Sequence, residues 1–153
     1  MPQIIKRILV ILVLFVNCTT KKNDYQCSDE MCVIFKEDPN DKDTPFEPTP
    51  SEIEEVEIAF RNYIVSNKPD SLTFGIHHKN VPKPDKLVYY KRRYFGRINI
   101  ENEKVIKVEY IFNRCITPED HDQERWKDLL YLEKVDSMCW FSFQYNMSRN
   151  EIY

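Results

Sequence analysis

The sequence predicts an α+β domain: one N-terminal helix packed on an antiparallel meander sheet of four to five strands. Three observations carry this. Ile53, Val56, Phe60, Tyr63 and Ile64 recur at helical spacing and form one apolar stripe. Ile106, Val108, Tyr110 and Phe112 alternate with Lys107 and Glu109, which is the period of a half-buried strand. Cys139, Phe141, Phe143 and Tyr145 repeat that alternation, with Trp140 on the other face. A helix segregated to one face of such a sheet is the α+β arrangement.

Each element follows from local chemistry. Thr49 can cap the helix, Pro50 suits its first position, and Glu52 stands three residues after the cap. Glu54, Glu55 and Glu57 lie toward the N-terminal end, where the helix dipole favours negative charge. Asn67–Lys68–Pro69 ends the helix near Ser66. Residues 67–86 are mostly connection, with a short strand at Leu72–Ile76; Pro82 and Pro84 argue against a central strand. Leu87–Ile100 reads as one strand, or two broken near Gly96, a bulge or a close packing point. Glu101–Asn102–Glu103 is a polar turn and Lys104–Asn113 the returning strand. Tyr94, Ile98 and Ile100 are expected in the core. Pro118–Asp122 reads as a polar loop, followed by a helical turn at Gln123–Leu130 or a strand at Leu129–Val135. Asn146–Asn150 is a turn before a final strand at Glu151–Tyr153. This element order loosely resembles small exported cystatin-like α+β domains, without the inhibitory loop motifs of a cystatin.

The N-terminus carries an address. Lys6 and Arg7 precede the unbroken apolar run Ile8–Val16. A bilayer core needs roughly 20 apolar helical residues, so this run fits a secretory signal peptide rather than a span. The segment Leu14–Phe15–Val16–Asn17–Cys18 then resembles the signal box of bacterial lipoproteins. That resemblance implies that Cys18 takes a diacylglyceryl group on sulfur and becomes the acylated first residue of the mature chain. It also implies a membrane partner through the lipid and a place in the periplasm or at the cell surface, with secretion as the alternative. The domain scheme is 1–17 signal peptide, 18–48 flexible acidic tether and 49–153 folded α+β unit. Frequent Asp, Asn and Pro give the tether too little apolar surface to offset its ordering entropy. Its one apolar patch, Met31–Phe35, can add an edge strand.

The 153 residues carry a net charge of −3. The tether holds most of the acidic excess, so bulk attraction to nucleic acid is not expected. Of five cysteines, acylation of Cys18 leaves Cys27, Cys32, Cys115 and Cys139. An oxidising compartment allows two disulfides, read as Cys27–Cys32 and Cys115–Cys139 from sequence proximity.

No catalytic constellation is visible, and neither a cofactor nor a metal is expected. His77 and His78 would point to opposite faces of a strand, and His121 stands alone. Glu119, Asp120, Asp122 and Glu124 lack the glycine of a calcium loop. The run Tyr89–Arg97 interleaves bases and aromatics, and Tyr89, Lys91, Arg93, Phe95 and Arg97 share one strand face. That face, through Lys91, Arg93 and Arg97, is the candidate contact for a protein, glycan or other anionic partner. The sequence therefore reads as an exported, lipid-anchored binding module. A soluble secreted binding or inhibitor domain and a cryptic hydrolase or metal-dependent enzyme are the rival readings.

Overall fold

The computed structural model describes residues 30–36, 42–66, 83–129, 131–136 and 139–153. The expected strand at Leu72–Ile76 lies outside them. Strands β1 (Cys32–Phe35) and β2 (Thr44–Phe46) come first, followed by α1 (Pro50–Ser66). Next come β3 (Tyr90–Ile98), β4 (Lys104–Phe112), the short helix α2 (Pro118–Asp122), β5 (Trp140–Asn146) and β6 (Glu151–Ile152).

The α+β class stands, with two corrections. The sheet has six strands and is mixed, because β1 runs parallel to β3 while every other pair is antiparallel. The helix is not the first element, because two strands assigned to the tether precede it. The cause is the edge of β3, whose bare N–H and C=O groups need partners. β1 covers Arg92–Phe95 and β2 covers Gly96–Ile98, so two short strands share that edge. Gly96 is a close packing point in an unbroken strand and not a bulge. A Cβ there would press on the Phe46 carbonyl and reach 3.0 Å from both the Phe46 ring and Pro48 Cδ.

The α1 cap forms as its residues require: the Thr49 amide donates to Glu52 Oε2 at 2.8 Å, and the Glu52 amide to Thr49 Oγ1 at 3.3 Å. The helix lays Ile53, Val56 and Phe60 on Tyr94, Ile106, Val108, Tyr110, Phe141, Phe143 and Tyr145. Phe60 stacks on Phe143 at 4.0 Å between centroids, and Tyr110 on Phe141 at 4.7 Å. The strand alternation read from sequence thus selects the helix-facing side. Of the residues expected in the core, Ile98 is only half-buried and Ile100 is 96 % exposed in the β3–β4 turn.

The opposite face is covered too. The described residues between 113 and 139 cross it as short turns: Arg125–Lys127 is a helical turn within Gln123–Leu130, as one reading has it, and Tyr131–Lys134 is another turn in place of the strand suggested for Leu129–Val135. They bring Ile116, Trp126 and Tyr131 onto Ile111 as a second apolar cluster. Pro118–Asp122, expected as loop, is a helical turn capped by Thr117.

One polar group sits inside the main core. Glu57 is fully buried, and its Oε1 accepts from both Tyr94 and Tyr110 hydroxyls at 2.7 Å. Its Oε2 faces Arg92 Nη1 at 3.9 Å. Burial alone would lower the Arg92 pKa, but Glu57 and the two tyrosines outweigh it and raise it. Burial, then the Glu57 charge, lifts both tyrosine hydroxyls well above their ordinary range. Glu57→Ala strands the buried guanidinium and should cost about 3–5 kcal/mol in urea unfolding. Glu57→Gln, which keeps an acceptor for a hydroxyl, should cost less.

At the far end, Glu103 clasps two turns. It accepts from Arg149 Nε at 2.7 Å, Asn146 Nδ2 at 2.8 Å and Asn99 Nδ2 at 3.1 Å. The Arg149 bond, then that of Asn146, lowers its pKa from 4.5 to about 2. A depressed carboxylate stabilises the fold while ionised. This contribution should be intact above pH 4.5 and vanish as pH falls through about 2. A carboxyl-carbon NMR titration should place the midpoint near 2 in the wild type, and the Arg149→Ala variant should bring it back toward 4.5.

Candidate functional site

The three basic residues proposed as a partner face do share one side of β3, but Lys91 and Arg93 do not reach solvent. Lys91 is 3 % exposed and Arg93 1 %. Arg93 Nε lies 3.2 Å from Glu109, its Nη2 donates to the Leu129 carbonyl at 2.8 Å, and its guanidinium sits 5.0 Å from the Phe35 ring centre. Lys91 donates to the Glu30 carbonyl and lies 4.9 Å over Trp126. Burial lowers its pKa, and the neighbouring Lys127 adds to that against the pull of Glu30. Arg97 is partly exposed, with Asp43 at 3.5 Å and a hydrogen bond to Gln144 Oε1. Alternation placed these residues on one face. The 113–139 segment and β1 then closed over the first two.

That same segment creates a different feature. Its fold begins with Thr117, whose Oγ1 accepts from the Asp120 amide at 3.1 Å and donates to Asp120 Oδ2 at 2.8 Å. Glu124 adopts a left-handed backbone, φ 51°, which turns the chain so that Trp126 drops into the sheet. Cys115 and Cys139, expected as a pair, form the disulfide that closes the segment. Between these supports lies a half-open cleft of about 650 Å³.

The disulfide, Leu129, Tyr131 and Val135 give the cleft an apolar wall, and Asp120, Asp128, Asp136 and Arg125 stand around it. Arg125 reaches Asp120 and Glu119, each at 3.2 Å. The Tyr131 hydroxyl donates to Asp120 Oδ2 at 3.5 Å, and burial, then the Asp120 charge, raises its pKa. Asp128 is exposed and contributes its backbone N–H and C=O to the adjoining turns. Among the described residues the cleft therefore joins apolar surface to three aspartates, with Arg125 held by carboxylates.

A shallower groove of about 570 Å³ runs beside α1 at Glu54, Glu55 and Ile58. Tyr145 borders it, with its hydroxyl 2.7 Å from Asn150 Oδ1 and 3.0 Å from Glu55 Oε1. Burial, then the Glu55 bond, pushes its pKa up to about 12.

Cys32 is buried in β1 and disulfide-bonded; Cys27, its expected partner, and Cys18 lie outside the described residues. His77 and His78 also lie outside them, and His121 is exposed on α2. Among the described residues no three His, Cys, Asp or Glu side chains group as metal ligands, and no helix is long and apolar enough to cross a membrane. No protein-family model, curated protein or solved structure matches this chain.

The cleft was missed in the sequence although its parts were visible. Cys115 and Cys139 bracket a segment without helical or strand period, and a lone Trp126 sits in its middle. A bulky apolar residue inside a disulfide-closed irregular loop signals a folded cover. Replacing both cysteines by alanine should cost about 3 kcal/mol of stability on chain-entropy grounds. Hydrogen exchange should then quicken across 113–139 before it quickens in β3 and β4.

Proposed function

We propose that this protein is an exported binding module, anchored to a membrane through lipid on Cys18, and that it takes its partner in the cleft beside the Cys115–Cys139 disulfide. The cleft is the observation that carries the reading. Its volume, about 650 Å³, falls within the roughly 300–1,000 Å³ typical of ligand sites, and it joins apolar wall to a few polar groups. The oxidised cysteine pair suits an exported protein.

The first described residue also lies near the segment that builds the cleft. The carbonyl of Glu30, the first described residue, accepts from Lys91, and Lys91 lies over Trp126 in the segment that builds the cleft. The residues between Cys18 and Glu30 span no more than about 40 Å even fully extended. A partner held in the cleft would therefore stay close to the membrane surface.

Two measurements test this. Acyl label should enter the wild-type chain and be lost in Cys18→Ala; label absent from both forms rejects the anchor and favours a soluble secreted protein. A screen of small apolar fragments by amide NMR should shift Leu129, Tyr131 and Val135 before Lys91, Arg93 and Arg97. A response confined to β3 rejects the cleft as the site.

A further inference from the structure

We propose that the Cys115–Cys139 disulfide is a redox latch on the cover of the sheet's reverse face. Closed, it keeps the described part of residues 113–139 over Lys91 and Arg93. Reduced, it lets that segment lift, so the cleft loses its walls and the two cations reach water. The latch is accessible. Both cysteines are half-buried and line the half-open cleft, where a dithiol can meet their sulfurs. One thiolate of the dithiol attacks a cysteine Sγ, and the S–S bond breaks with its electron pair on the other cysteine. The second thiol of the reductant then displaces the mixed disulfide. The protein gains two thiols with the two protons that the dithiol gives up, and the dithiol is oxidised to its own disulfide.

The segment is built to move as a piece. Arg125 pairs with Glu119 and Asp120, Lys127 with Glu124, and Thr117 with Asp120, all inside it. These bonds survive its departure from the sheet. Its hold on the sheet opposes itself. Ile116, Trp126 and Tyr131 gain by covering Ile111. The same cover buries Lys91 beneath Trp126 and ties Arg93 to the Leu129 carbonyl. Taking a cation out of water costs free energy, so uncovering these two offsets part of the lost apolar contact. The Arg93–Glu109 pair lies on β3 and β4 themselves, so lifting the segment leaves that pair in place. The covalent closure therefore decides the balance. Its ends stand 24 residues apart, and on chain-entropy grounds breaking it favours the open form by a factor on the order of 100.

The experiment uses the mature chain in detergent micelles, with and without dithiothreitol. Acetic anhydride labels lysines, and mass spectrometry reads Lys91 against the half-exposed Lys104. Hydrogen exchange is followed on the same samples. Reduction should speed Lys91 acetylation by at least about tenfold relative to Lys104, within the factor that loop closure supplies. Amides of 113–129 should exchange faster while those of β4 stay protected. Cys32 is disulfide-bonded as well, so the double variant Cys115→Ser/Cys139→Ser separates the two bonds. Without reductant it should label Lys91 as fast as the reduced wild type does. Lys91 labelling that stays slow once Cys115 and Cys139 are reduced overturns the latch. So does a rise in the double variant that appears only when dithiothreitol is added, which assigns the effect to Cys32. Exchange that quickens equally through β4 also overturns it, because the cover would then not open on its own.

Discussion

The bond between Glu57 and the two tyrosines decides how helix and sheet meet. A carboxylate at the centre of an apolar interface is costly unless its surroundings complete it. Here Tyr94 on β3 and Tyr110 on β4 donate to one oxygen, and Arg92 stands by the other. Sliding the helix by a turn would leave an unpaired charge and unpaired hydroxyls in the core. Apolar contact alone tolerates such sliding, since Phe60 can stack on more than one ring. The polar cluster thus fixes the position of a helix whose adhesion comes from Ile53, Val56 and Phe60.

The two faces of the sheet follow different logic. Beneath the helix, aromatic and aliphatic side chains stack and one charged cluster is embedded among them. On the reverse side, charges form much of the layer. Glu109 contacts both Arg93 and Lys107, and these two bases lie 5.5 Å and 5.2 Å from the Phe95 ring centre, which itself stacks on Phe35. The buried Lys91 and Arg93 find a carboxylate, backbone carbonyls and ring faces instead of water. That is why residues that look like a docking surface in the sequence serve as packing for the 113–139 segment.

Much of this was legible before the structure. The helix was, because its cap residues and apolar stripe are local signals that agree with one another. The β3–β4 pairing and the helix-facing side of β5 were, because alternation reports directly on a two-faced strand. The mixed topology was not: nothing in Cys32–Phe35 reveals that its partner lies about sixty residues on, or that the pairing is parallel. The cleft was not, because residues 113–139 fold by single contacts such as Trp126 on Ile111 and by a disulfide, and neither leaves a period. Burial of Lys91 and Arg93 depends on that same segment, so one illegible element hid both the true cover and the candidate site.

The parallel seating of β1 has a mechanical consequence. Its four residue pairs with β3 lie side by side along the strand, and its first residue, Cys32, is disulfide-bonded. Tension drawn along the strand from the N-terminal side would strain all four pairs in shear at once, instead of peeling them one at a time. Among the described residues, the first strand therefore meets such a pull along its whole length.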